Sequence, residues 1–249
     1  MLRLLVVTAH PDDEAGGFGG TLLLYRRRGI ETYVICLTPG QAARNRGTAR
    51  SDDELSAIRR HEFAEACRLL EVPHGEVLDF ADGKLDRTDF YGMAEKLTRR
   101  VREIKPHVML TFGPEGSITS HPDHSMVSLV ATTAFHWSGR TNRFPDQLNE
   151  GLQPWIAQKL YYATSPGVLP DREQVSLSPW TAEIDITEHF ETKLAAFKTH
   201  TSQNPLYERF AENMRRFGPR ELFHLAAVSE PREIKRETDL FAGVKEEIS

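Results

Sequence analysis

Thiols are scarce in this chain of 249 residues: it has two cysteines, Cys36 and Cys67, far apart and without a Cys-x-x-Cys pair. That usage argues against a disulfide framework or a thiolate metal knuckle and leaves both as reduced core or surface thiols. Long apolar runs are missing as well; nothing approaches the ~18 residues of a membrane span. The apolar start, Met1 to Val7, is too short for a signal peptide and meets acidic residues within a few positions. The expected setting is therefore cytoplasmic, without a membrane partner. Excess positive charge is the third absence: Lys and Arg number 31 against 36 Asp and Glu, for a net charge of −5. No global field draws such a chain to nucleic acid or to anionic lipid.

What is present has a regular order. Leu2 to Thr8 is a near-continuous apolar run, the pattern of a strand covered on both faces. Gly19 to Arg28 reads as a short helix with basic residues before a glycine stop. Glu31 to Thr38 is β-rich, and Ser51 to Leu70 carries Leu55, Ile58, Phe63, Ala66 and Leu69 at helical spacing. Glu76 to Phe80 reads as a strand and Phe90 to Ile104 as a helix closed by Pro106. His107 to Gly113 is a fourth strand, and Pro122 to His136 a helix. Four alternations predict an α/β fold, a doubly wound, mainly parallel, Rossmann-like sheet with helices on both faces. Ser138 to Pro154 reads as a surface insertion. Lys159 to Ser165 is a fifth strand, Ala182 to Thr187 an edge strand and Glu188 to His200 a helix; the last third is otherwise irregular. The chain reads as one domain over 1–249, with a loose charged tail from about 238.

Two stretches are not explained by folding. "AHPDDE" (Ala9 to Glu14) follows the first strand and sets three carboxylates side by side. "SHPDH" (Ser120 to His124) follows the fourth. In a doubly wound sheet the first and fourth strands are neighbours, and the crevice beyond their carboxyl ends is where ligands bind. Both His/Asp turns would then meet there. A catalytic zinc site uses imidazole and carboxylate ligands with one open position. A divalent ion also offsets the repulsion among Asp12, Asp13 and Glu14. The glycines at 16, 17, 19 and 20 suggest a dinucleotide fingerprint, but acids precede them where phosphate would approach.

These motifs, with "HTSQ" (His200 to Gln203), resemble the LmbE-like, or PIG-L, family of zinc-dependent N-deacetylases. The resemblance implies that His10, Asp13 and His124 bind Zn²⁺, with Fe²⁺ an acceptable substitute for such ligands. It implies that Asp12 is the general base for the metal's water, and that His121 stabilises the oxyanion and protonates the leaving amine. Asp123 would orient a cationic His121, and Arg59 would line the substrate pocket. Glu14 is read as support for its neighbours rather than as a reacting group. His200 and Gln203 are divided evenly between the site and a helix cap.

The expected function is removal of an N-acyl group, acetyl foremost, from an N-acetylglucosamine-containing small molecule. Two alternatives stay open: a zinc amidase on a non-sugar N-acyl or thiol conjugate, and a metal-stabilised sugar-binding module without turnover. For the amidase, the loops Pro39 to Arg50 and Ser138 to Pro154 would supply the pocket walls. The first of these is also read as solvated and mobile. Partners are limited to the small substrate, with room for a homo-oligomer.

Overall fold

The computed structural model describes residues 1–169 and 175–247. Seven strands form one sheet in the order β3-β2-β1-β4-β5-β7-β6. They are β1 (Arg3–Thr8), β2 (Glu31–Cys36), β3 (His74–Val77), β4 (Val108–Phe112), β5 (Lys159–Thr164), β6 (Ala182–Asp185) and β7 (Arg220–Val228). β1 to β5 pair in parallel, while β7 runs antiparallel between β5 and β6. The mainly parallel α/β sheet expected from the alternation is therefore present. β1 lies beside β4, with Leu4 opposite Val108 and Val6 opposite Leu110. Leu4, Leu5, Val6 and Val7 are fully buried, each worth ~1.5–3 kcal/mol relative to exposure. The apolar run is the price of a strand packed on both faces.

The helices are α1 (Asp13–Arg27), α2 (Asp52–Leu69), α3 (Phe90–Ile104), α4 (Pro122–Trp137), α5 (Pro145–Asn149), α6 (Phe190–Lys198) and α7 (Tyr207–Phe217). Local chemistry sets their starts. The Ser51 hydroxyl accepts from the Glu54 amide, and the Glu54 carboxylate accepts from the Arg50 amide just before the cap, so one free N–H of the first turn is satisfied and the chain's entry is fixed. Asp89 caps α3 in the same way. α1 begins earlier than its apolar pattern suggested, because its first two turns are the glycine-rich stretch. A Cβ on Gly20 would stand 2.5 Å from Ile186 Cδ1. Here the glycine serves close packing of α1 on the turn after β6, not phosphate.

Several expectations need correction. β3 starts at His74 rather than Glu76, because the His74 ring stacks on Tyr33 of β2 at 4.4 Å and fixes the register there. The segment 138–154, expected to help wall the pocket, is not near the ligand crevice. α4 is 16 residues long, about 24 Å at 1.5 Å per residue, and carries the chain to the opposite end of the sheet. There the buried Arg102 donates to the carbonyls of Ser138, Arg140, Phe144 and Arg143 and to the Gln147 side chain. The expected loose tail is held as well, through Glu246. Leu240 and Phe241 are buried, and the Tyr25 hydroxyl accepts from the Leu240 amide and donates to Asp239. Residues 248 and 249 of that tail lie outside the described residues. α7 and β7 have no counterpart in the sequence-based assignment. No helix among the described residues is long and apolar enough to cross a membrane. Both cysteines are buried free thiols.

Candidate metal and active site

The turn after β1 and the turn into α4 meet where the strand order reverses. His10 follows Ala9 at the end of β1, and Asp13 opens α1. Asp13 Oδ2 accepts from the His10 amide at 2.8 Å and the Ala9 amide at 3.2 Å, which folds the turn back on itself. Across the crevice, His121 caps α4 and Pro122 takes its first position, where a missing N–H costs nothing. Asp123 and His124 follow on the first turn. The two motifs, over a hundred residues apart, are thus within side-chain reach.

Asp13 is the bridge. Its Oδ1 stands 3.2 Å from His124 Nε2 and its Oδ2 stands 3.6 Å from His10 Nδ1. Ligands at ~2.0–2.1 Å from a tetrahedral zinc lie roughly 3.3 Å from one another. The Asp13 distances to His10 and His124 suit a shared divalent cation, while the donor groups among the described residues that lie mutually within 4.8 Å are His10 with His121 and His124, and His10 with Asp82 and Asp123. His121 sits with its ring centroid 4.7 Å from His10 and 5.2 Å from His124.

Asp123 departs from its expected place. Its carboxylate lies 3.3 Å from His10 Nε2 and accepts from the Gly83 amide at 2.7 Å and the Leu85 amide at 3.3 Å. It orients His10, not His121. His121 Nδ1 instead accepts from the Asp123 backbone amide at 3.2 Å. Asp82, from the turn after β3, also reaches His10 Nε2, at 3.0 Å. Two carboxylates behind one imidazole fix its orientation and turn its other nitrogen toward Asp13.

The titration of these groups follows from their neighbours. Burial opposes charge on His10, but its contacts with Asp123, Asp13 and Asp82 outweigh it and raise its pKa well above the imidazole value. Burial would lift Asp13, yet the charge of His124 and the contact with His10 hold it well below the carboxylate range. Asp82 and Asp123 are lowered as well, their contacts with His10 overcoming burial. His121 is pulled down by burial and by His10 and His124. The Asp123 carboxylate sits on His10, so it does not orient His121 as expected. His10 faces three carboxylates, Asp13, Asp82 and Asp123, and a divalent ion would take the place of its proton.

Asp12 has a different environment. Its backbone φ is 122°, a strained value for a residue with a Cβ. Arg59 donates to its Oδ2 at 2.9 Å, to the Gly40 carbonyl at 3.0 Å and to the Pro11 carbonyl. Burial raises the Asp12 pKa; the Arg59 charge opposes this and Asp13 adds to it, for a value of about 6. Arg59 itself is buried and does not line the cleft, so it holds Asp12 rather than the pocket wall. Gly40, at φ +68°, leaves room for that guanidinium; a Cβ there would come within 2.1 Å of it. Glu14 is fully buried beneath: its Oε2 accepts from the Asp12 amide at 3.0 Å, and its Oε1 meets His200 Nε2 at 2.7 Å. Glu62 anchors the segment after His200, accepting from Thr201, the Ser202 amide and the Ser202 hydroxyl. Gln203 donates to the Asn45 carbonyl, and Asp82 accepts from the Ala42 amide. These contacts fasten the Pro39 to Arg50 loop, which was expected to be mobile.

Asp12, Asp13 and His124 line one part of a cavity of about 260 Å³. The other walls come from the turn at 117–119, Leu169, Phe197 and α7. Neither of the two loops expected to wall the pocket contributes. Asp82 is the site residue that sequence reasoning missed; its only signal was an Asp-Gly turn after a strand.

Comparison with known proteins agrees with the geometry. Residues 5–135 match the PIG-L family, described as GlcNAc-PI de-N-acetylase. A probable N-acetyl-alpha-D-glucosaminyl L-malate deacetylase 2 of Bacillus cereus is 30% identical over 203 residues, 81% of this chain and 83% of that one. A mycothiol S-conjugate amidase of Streptomyces coelicolor is 25% identical over 98% of both chains. Among solved structures, the N,N'-diacetylchitobiose deacetylase of Pyrococcus horikoshii superposes with a TM-score of 0.74 at 26% identity, covering 90% of this chain and 83% of that one. With its two His-Pro-Asp turns facing each other across β1 and β4, this chain belongs to the PIG-L family of N-deacetylases and amidases.

Proposed function

We propose that the protein hydrolyses the N-acetyl group of a small 2-acetamido sugar conjugate, with zinc, or ferrous iron in its place, held by His10, Asp13 and His124. When bound, the ion would acidify a water and polarise the amide carbonyl. Asp12 accepts the water's proton. A carboxyl with a pKa of about 6 is largely ionised at neutral pH yet basic enough to take a proton in passing. Arg59 and Glu14 keep it aimed. His121 donates to the developing oxyanion: with Nδ1 already accepting from a backbone amide, a neutral ring carries its proton on Nε2. A preorganised donor of this kind is worth ~3 kcal/mol. The proton then passes to the leaving nitrogen, and acetate and the free amine depart. Asp123 and Asp82 keep the His10 ring in line throughout.

The observation that supports this reading most is Asp12, on the cleft wall next to Asp13 and His124. The test is acetate release from N-acetylglucosamine conjugates, with metal analysis alongside. Asp12→Asn should lose turnover by orders of magnitude while metal content persists. A binding module without turnover would be indifferent to that change. The full-length likeness to an S-conjugate amidase favours one second reading, an amide hydrolase on a thiol conjugate. It uses the same residues, and a substrate panel separates the two.

A further inference from the structure

The two carboxylates behind His10 are not equivalent. Its Nδ1 faces Asp13 at 3.6 Å, while its Nε2 faces Asp82 at 3.0 Å and Asp123 at 3.3 Å. Asp123, on α4, accepts from the Gly83 and Leu85 amides. Asp82 reaches farther: its Oδ1 meets His10, and its Oδ2 accepts from the Ala42 amide at 2.7 Å. Ala42 belongs to the loop that joins β2 to α2. One buried carboxylate thus links a proposed metal ligand to a separate segment of chain. That segment has little apolar packing to hold it, since none of residues 41–50 is buried. Its order rests on polar ties at a few points. Asp82 takes the Ala42 amide, and Gln203 donates to the Asn45 carbonyl. At the near end Arg59 donates to the Gly40 carbonyl and also to Asp12. The loop therefore lies between the group that steadies His10 and the group that steadies Asp12.

We propose that Asp82 is a positioning residue that couples cation binding at His10 to the docking of the 39–50 loop. The inference rests on the metal-assisted reading above and adds a task to it. A cation on the Nδ1 side of His10 leaves the remaining ring proton on Nε2, between the two carboxylates. The ring is then fixed at both edges, and Asp82 is fixed with it. Its second oxygen stays in one place for the Ala42 amide. Without a cation the ring is held from one edge only, Asp82 loses a fixed partner, and the loop's tie at Ala42 loosens. Asp82 does not line the cleft, so it acts through His10 rather than on the substrate. The coupling is an equilibrium property and runs both ways: what undocks Ala42 weakens the cation by the factor with which the cation docks Ala42.

The experiment reads the Ala42 amide directly and needs no substrate. Hydrogen exchange followed by NMR, on metal-free and zinc-saturated protein at one pH, gives its protection; chelator competition gives the zinc Kd. In the wild type, zinc should slow Ala42 exchange at least ~10-fold. Asn in place of Asp82 offers one acceptor oxygen, enough for His10 or for Ala42 but not for both. In Asp82→Asn the zinc-dependent slowing should therefore fall below ~2-fold, and the zinc Kd should rise ~10-fold or more. Ala42→Pro approaches from the other end. It deletes the amide donor at an exposed position without touching His10, and the zinc Kd should still rise several-fold; it decides the matter if Asp82→Asn does not fold. Asp123→Asn is the control: its carboxylate bonds Gly83 and Leu85 rather than the loop, so at saturating zinc the slowing at Ala42 should persist. Slowing that survives in Asp82→Asn, slowing that Asp123→Asn also abolishes, or an unchanged Kd in Ala42→Pro overturns the assignment. Zinc that binds the wild type without slowing Ala42 exchange overturns the coupling and leaves the metal reading standing. A wild type that binds no zinc refutes both.

Discussion

Replacing Glu14 by Ala should remove the support beneath Asp12 and, with it, a pH-dependent share of stability. The side chain is fully buried, and it joins the Asp12 amide to His200 Nε2. Its loss leaves the His200 ring buried with no carboxylate and one backbone N–H unpaired. Breaking a buried pair from one side costs ~3–5 kcal/mol, of which the orphaned amide accounts for about 1–3. The electrostatic part has a definite sign. Burial lowers the His200 pKa, but the Glu14 charge and contact raise it, and the net folded value lies above the ordinary 6.5. A raised folded pKa contributes stability that is fully present below the unfolded value of about 6.5 and is lost as pH climbs through the folded one. Urea unfolding of both proteins in metal-free buffer from pH 5.5 to 9 measures the difference directly. The gap between wild type and Glu14→Ala should be widest at the acid end and narrow toward the alkaline end. A gap that stays constant with pH, or grows as pH rises, refutes the charge pairing of Glu14 with His200.

Three further outcomes follow from the packing. Gly20→Ala pushes a methyl into Ile186 and should cost ~1–3 kcal/mol by overpacking, seen as a lowered Tm. Arg59→Met removes the charge that holds the Asp12 pKa down, so the acid limb of the kcat/KM profile should move to higher pH; an unmoved limb would place the base elsewhere. Arg102→Ala strips the donor from four carbonyls and one amide oxygen and should lower stability by about 3 kcal/mol or more. Its kcat and KM at a temperature where it is folded should match wild type, because the 138–154 segment sits at the far end of α4.

The candidate site was legible in the sequence where its residues lie on turns after strands whose adjacency follows from the alternation. His10, Asp13 and His124 fall together because β1 and β4 are neighbours, which the doubly wound pattern dictates. Asp82 was not legible: a lone Asp in a turn reaches His10 only through the register of β3 on β2, which Tyr33 and His74 set. The partner of Asp123 was misassigned for a related reason. Only Pro122 separates it from His121 at the helix start, but its carboxylate points across to His10 because the Gly83 and Leu85 amides hold it there. The resemblance put Arg59 on the pocket wall; its place behind Asp12 shows only once α2 is docked on the turn that carries Asp12. α7 was missed although Phe210, Met214 and Phe217 recur at helical spacing; its apolar face serves a cleft, and the irregular flanks hid the period. β7 was missed because an antiparallel strand ends the βα alternation.

The proposed chemistry requires a cation held between the two turns. Anomalous diffraction at the zinc edge from metal-loaded crystals, with Asp13→Ala as the paired sample, tests it most directly. One peak within ~2.3 Å of His10, Asp13 and His124, absent in Asp13→Ala, is the result expected. A peak bound elsewhere, or one that Asp13→Ala leaves at full occupancy, would contradict the assignment.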